Sequence, residues 1–190
     1  ETAHALAALG QRRLKCLVLD LDNTLWGGVL GEDGIEGIRL GIEPPGNAFY
    51  EFQKTVKSLQ HRGIILAINS KNDFHLVKEA FEKHPYMQLT LNDFACIRAN
   101  WNDKVQNMRE ISQELNLGLD SFVYMDDHPA ERFLIQQQLP EVMTVDMPED
   151  FSNYTQTLLD LDAFEVLHLT DEDRKRTRLY KAETKRRKLK

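Results

Sequence analysis

The 190-residue chain is 42% hydrophobic and 28% charged, which allows one core of mixed α/β type and excludes a membrane protein, since no apolar run approaches the roughly 18 residues of a span. Residues 171–190 hold ten Lys or Arg against four Asp or Glu, so the net charge of −6 conceals 14 bases and 26 acids, net −12, in the other 170 residues. Such an acidic body repels phosphate backbones, and the basic segment has only Tyr180 as an aromatic, so nucleic acid is not an expected partner.

The chain opens at Glu1 with no leader-like pattern, and the expectation is a piece of something longer. The first element is the apolar run Leu14 to Asp20, which lacks alternation and so suits a strand buried on both faces of a parallel sheet. Trp26 to Gly41 follows, with six glycines interleaved by apolar residues, and reads as a hairpin inserted after that strand. It is either a flap over a site or a plain surface hairpin. An amphipathic helix is expected from Asn47 to Arg62, ending at Gly63, and then a second strand over Ile64 to Asn69. Phe74 to Lys83 reads as a helix and Phe94 to Ile97 as a weaker strand.

From Lys104 to Leu117, Val105, Met108, Ile111 and Leu115 recur at helical spacing, with Gly118 as the expected stop. Phe122 to Met125 is a strand, Pro129 opens a helix running to Leu139, and Val142 to Val145 is a last strand. This alternation predicts an α/β fold: a doubly wound, mostly parallel, Rossmann-like open sheet with a small hairpin flap at 26–41 and no large cap domain. The catalytic domain is expected over residues 1–170. Residues 171–190 are expected to form a basic, solvent-exposed helix, serving either as a linker or to steer an acidic partner. Cys16 and Cys96 lack zinc or disulfide spacing, so a cytoplasmic location is expected.

Ligands of open parallel sheets bind beyond the carboxyl ends of the strands. Those positions hold Asp20-Leu-Asp22-Asn-Thr24, Ser70-Lys71-Asn72, Asn100-Trp-Asn-Asp-Lys104 and Asp126-Asp127. Four carboxylates converging on one edge repel each other unless a divalent cation neutralises them, and an all-oxygen set suits Mg²⁺. An aspartate beside a metal can attack phosphorus, a second carboxyl can move the leaving group's proton, and a serine and a lysine can hold the transferring group. Lys104 opens a helix, where the dipole disfavours a cation, so it needs an anionic partner. Ser70 taken alone also suits a helix cap. Trp26 and Trp101 flank the expected mouth, either walling off substrate or filling a gap under the hairpin. His128 before Pro129 reads as a turn or cap residue.

These four motifs resemble those of the haloacid dehalogenase (HAD) superfamily. D-L-D-N-T-L-W-G-G-V-L-G-E-D-G at 20–34, N-S-K-N at 69–72, N-W-N-D-K at 100–104 and L-G-L-D-S-F-V-Y-M-D-D-H-P-A-E-R at 117–132 resemble its FkbH-like branch, with His128 and Asp103 standing where that branch has Asn and Pro. The resemblance covers about residues 12–180. It implies Asp20 as nucleophile and metal ligand, and Asp22 as general acid/base lending the metal its main-chain carbonyl. It implies Asp126 and Asp127 as metal ligand and support, and Thr24, Ser70, Lys71, Asn72 and Lys104 as the phosphate-binding set. It further implies that a glyceryl unit from 1,3-bisphosphoglycerate is dephosphorylated and delivered to an acyl carrier protein in polyketide biosynthesis. The alternatives are a small Mg²⁺-dependent phosphatase acting on a free metabolite or phosphoprotein, and a docking module with a vestigial site. The resemblance includes a cysteine-bound acyl species, for which Cys16 is the candidate. Cys16 lies four residues before Asp20, on the same face but about 13 Å deeper, and such a buried thiol reads more readily as structural.

Overall fold

The computed structural model describes residues 14–161, 179–183 and 186. Five parallel strands stand in the order β3-β2-β1-β4-β5: β1 (Cys16–Leu19), β2 (Ile65–Ser70), β3 (Phe94–Ala99), β4 (Phe122–Met125) and β5 (Met143–Thr144). β1, β2 and β4 are buried throughout, which explains why their sequences are unbroken apolar runs rather than alternating ones. The helices are α1 (Leu30–Gly37), α2 (Gly46–His61), α3 (Phe74–Lys83), α4 (Lys104–Leu115), α5 (Pro129–Gln138) and α6 (Tyr154–Leu159).

Alternate residues of the strands feed two separate cores. Leu17, Leu19, Leu66, Ile68, Val123 and Met125 pack with Phe52 and Val56 of α2 and with Val77 and Phe81 of α3. Cys16, Val18, Ile65, Ala67, Phe122 and Tyr124 pack with Val105, Met108 and Ile111 of α4 and with Ile135 of α5. The result is the expected doubly wound α/β sandwich with helices on both faces.

Two local expectations are corrected. Residues 26–41 do make an excursion closed at its base by an antiparallel bridge between Gly27 and Arg39, but between those residues the chain forms the helical turns of α1 instead of two strands. The cause is local: Asp33 Oδ2 accepts from the main-chain N–H of Val29 at 2.8 Å, starting a turn that Gly34, at φ 70°, then breaks. The helix α4 stops at Asn116 (φ 53°, ψ 47°) and not at Gly118, because asparagine tolerates the left-handed conformation and the N–H of Leu117 returns to Ser112 O at 3.1 Å. Residues 162–178 lie outside the described residues, so only part of the expected basic helix can be placed. Within it, residues 179–183 are helical but not simply solvated: Tyr180 and Lys181 are half-buried, and Lys181 Nζ donates to Asn92 O at 2.7 Å.

Candidate active site

The strand order makes β1 and β4 neighbours on either side of the point where the winding reverses, the expected position for a ligand crevice. Leu19 is paired with Met125, and the N–H of Asp20 donates to Met125 O at 3.0 Å, so Asp20 and Asp126 leave the sheet side by side. Both carboxylates are buried.

Lys104, at the first turn of α4, lies between them. Its Nζ is 2.6 Å from Asp126 Oδ2 and 3.1 Å from Asp20 Oδ1, which supplies the anionic partners that a cation at a helix start requires. Burial alone would lower the Lys104 pKa, but the charges of Asp20 and Asp126 outweigh it and raise the pKa above its ordinary value. Burial pushes the Asp20 carboxyl up to about 7; Lys104 opposes this, Asp126 adds to it, and the Ser70 hydroxyl hydrogen-bonds to the carboxylate. Among the described residues Asp20 Oδ1 has the Lys104 ammonium at 3.1 Å as its ion-pair partner and no further hydrogen-bond partner. Asp127 is half-buried and its carboxyl is also raised, first by burial and then by Asp126. One carboxylate oxygen from each of Asp20, Asp126 and Asp127 falls within 4.8 Å of the others, a group able to hold a metal ion.

Asp22 stands apart from this group. Its Oδ1 accepts from Trp26 Nε1 at 2.9 Å and from the N–H of Leu30 at 3.0 Å, while Oδ2 accepts from Asn72 Nδ2 at 2.8 Å. The carboxylate is thus held by the 26–41 excursion and the end of β2. Trp26 is fully buried and fills space beneath the excursion, whereas Trp101 is 75% exposed on the rim. Thr24 Oγ1 accepts from the N–H of Asp127 at 3.2 Å and braces that loop. Lys71 pairs with Glu131 of α5 at 2.5 Å. His128 occupies the N-cap position of α5 without a side-chain cap bond, and its main-chain N–H donates to Asp126 Oδ1 at 2.8 Å. Asp103 caps α4 by accepting from Val105 and Gln106. Cys16 is a buried free thiol whose pKa is raised well above its ordinary value, first by burial and then by Cys96.

Three supports of the site have no role assigned by the motifs, although Asn69, Asn100, Tyr124 and Arg132 lie inside the motif segments. The Tyr124 hydroxyl, buried in the α4–α5 core, donates to Asp126 Oδ2, the oxygen that also receives Lys104. Asn69, Asn100 and Asn107 form a hydrogen-bonded cluster, and Asn69 Nδ2 donates to Lys104 O at 2.8 Å, which fixes the start of α4. Arg132 donates to the main-chain carbonyls of Asp126 and Asp127. Only Tyr124 carries a signal in the sequence, as a lone hydroxyl in an otherwise apolar strand.

No protein-family model and no curated protein matches the chain. Among solved structures it is similar to the N-terminal part of the protein BF1531 from Bacteroides fragilis, containing a phosphatase domain and complexed with Mg, at 46% sequence identity and a TM-score of 0.81. The match covers 88% of this chain and 45% of that one, so the chain spans less than half of its neighbour's length. Among the described residues no helix is long and apolar enough to cross a membrane.

Proposed function

We propose that the chain is a Mg²⁺-dependent phosphatase or phosphotransferase of the haloacid dehalogenase type, working through an aspartyl-phosphate on Asp20. The observation that carries this reading is the convergence of Asp20, Asp126, Asp127 and Lys104 at the point of winding reversal. The likeness to a Mg-complexed phosphatase domain supports it. The donor set fits Mg²⁺: it is all oxygen, and Asp20 Oδ1 is buried with no hydrogen-bond partner beyond the Lys104 ammonium among the described residues. Asp20, Asp126 and Asp127 would hold the ion, which when bound neutralises charge on the phosphoryl oxygens.

Asp20 attacks phosphorus in line while the bond to the leaving oxygen breaks, and Lys104 and Ser70 hold the equatorial oxygens. Asp22 gives its proton to the leaving oxygen and then takes one from the water that hydrolyses the aspartyl-phosphate. To reach that oxygen it must exchange its bonds to Trp26, Leu30 and Asn72.

The finer reading concerns 1,3-bisphosphoglycerate and an acyl carrier protein. The carrier thiol takes the acyl carbon with release of the acyl phosphate, and the ester phosphoryl group passes to Asp20 and then to water. The motifs around the site that resemble the FkbH-like branch support it, as does the shortness, among the described residues, of the excursion that follows β1. Incubating the chain with Mg²⁺, 1,3-bisphosphoglycerate and a carrier protein, then weighing the carrier, tests both levels. A glyceryl mass increase is the expected result. Phosphate release without loading leaves a phosphatase acting on free substrate, and no turnover rejects phosphoryl transfer.

A further inference from the structure

β2 and β4 flank β1, so their ends stand two strand spacings apart, about 10 Å. Lys71 is the residue immediately after β2, and Glu131 lies on the first turn of α5, just beyond β4. Their ion pair, at 2.5 Å, therefore passes over the end of β1, where Asp20 leaves the sheet. Glu131 lies close to the site: its side chain is 15% exposed, and the adjacent Arg132 donates to the carbonyls of Asp126 and Asp127. Lys71 is 43% exposed. Lys104 bridges the two buried carboxylates and serves the transferring group, so Lys71, partly exposed between Ser70 and Asn72 at the end of β2, is a second cation beside the site.

We propose that Lys71 receives a second anionic group of the substrate, the one not being transferred, and that Glu131 holds its place until that group arrives. The inference rests on the phosphoryl-transfer reading and narrows it to substrates carrying negative charge at two positions. A partly exposed ion pair is weak and exchanges readily for a ligand anion, whereas the nearly buried Glu131 remains beside the site to repel a ligand that leaves Lys71 unengaged.

Calorimetric titration in Mg²⁺ with 3-phosphoglycerate, anionic at both ends, and with inorganic phosphate, which has no second group, tests the proposal. Glu131→Gln should tighten 3-phosphoglycerate about threefold to fivefold and leave inorganic phosphate within about twofold of the parent. Lys71→Met should weaken 3-phosphoglycerate about tenfold, with the greater loss on that ligand. Circular dichroism and melting temperature show that each variant is folded, and Glu131→Asp, which shortens the acid and opens the pair, replaces the glutamine variant if that one is not. Equal 3-phosphoglycerate affinity in parent and variants, with inorganic phosphate still bound, overturns the inference and leaves the phosphoryl-transfer reading standing. A parent that binds neither ligand overturns both.

Discussion

The buried floor of the site and the glycine-rich excursion beside it hold their carboxylates by opposite means. In the floor, Asp20 and Asp126 stand on neighbouring strand ends, so the backbone register sets their spacing and charge on Lys104 balances them. In the excursion, Asp22 is placed by three neutral donors from a loop and a strand end, and it carries no ion pair among the described residues. A group held by the sheet cannot move without breaking the fold. One held by exchangeable hydrogen bonds can change position during a reaction, which suits a proton carrier better than a nucleophile.

The sharpest way to break this comparison is Asp20→Asn. Activity should fall about ten-thousandfold, and residual turnover above roughly one hundredth of the parent rules out the nucleophile. The same variant tests the floor electrostatically. The Asp20 pKa is raised from 3.8 to about 7 in the folded chain, so the folded state binds the proton more tightly than the unfolded state. Its contribution to stability is present below about pH 4 and is lost as pH rises through about 7. In chelator, Asp20→Asn should therefore be more stable than the parent at pH 8, by on the order of 1–3 kcal/mol, with the gap closing toward pH 4. Thermal scans across that range check the sign, and a gap that widens in acid contradicts it.

Asp22→Asn should cost about a hundredfold or more in turnover while sparing the Mg²⁺-induced rise in melting temperature. Loss of that rise would place Asp22 in the floor with Asp20. Tyr124→Phe removes one donor to Asp126 without changing the core's shape, and should weaken Mg²⁺ about tenfold by calorimetry, since groups supporting metal ligands commonly carry that much affinity. Unchanged Mg²⁺ affinity would show that Lys104 and the His128 main-chain N–H suffice to set Asp126. Trp26→Phe should be the mildest, lowering turnover only about threefold with Mg²⁺ affinity intact, because Leu30 and Asn72 still hold Asp22. A parallel loss of metal binding would erase the distinction between the two regions.

Much of this is legible in the amino-acid sequence. Unbroken apolar runs mark the buried parallel strands, and a register of acids, Ser70 and Lys104 at their carboxyl ends marks the site, because strand and helix periods are local properties of the chain. The requirement that Lys104 have an anionic partner also follows from its place at a helix start. What tertiary structure decides is of another kind. Within residues 26–41, Leu30–Gly37 form helical turns because Asp33 captures Val29, a competition too close for glycine spacing to settle. The partners of each carboxylate depend on which strands are neighbours: Asp126 meets Tyr124 and Lys104, Asp22 meets Trp26 and Asn72, and Lys71 reaches Glu131 across β1. Local sequence determines which elements form, but the distances between residues 60 or 103 positions apart, as in Lys71–Glu131 and Asp127–Thr24, arise only when the strand order closes the sheet.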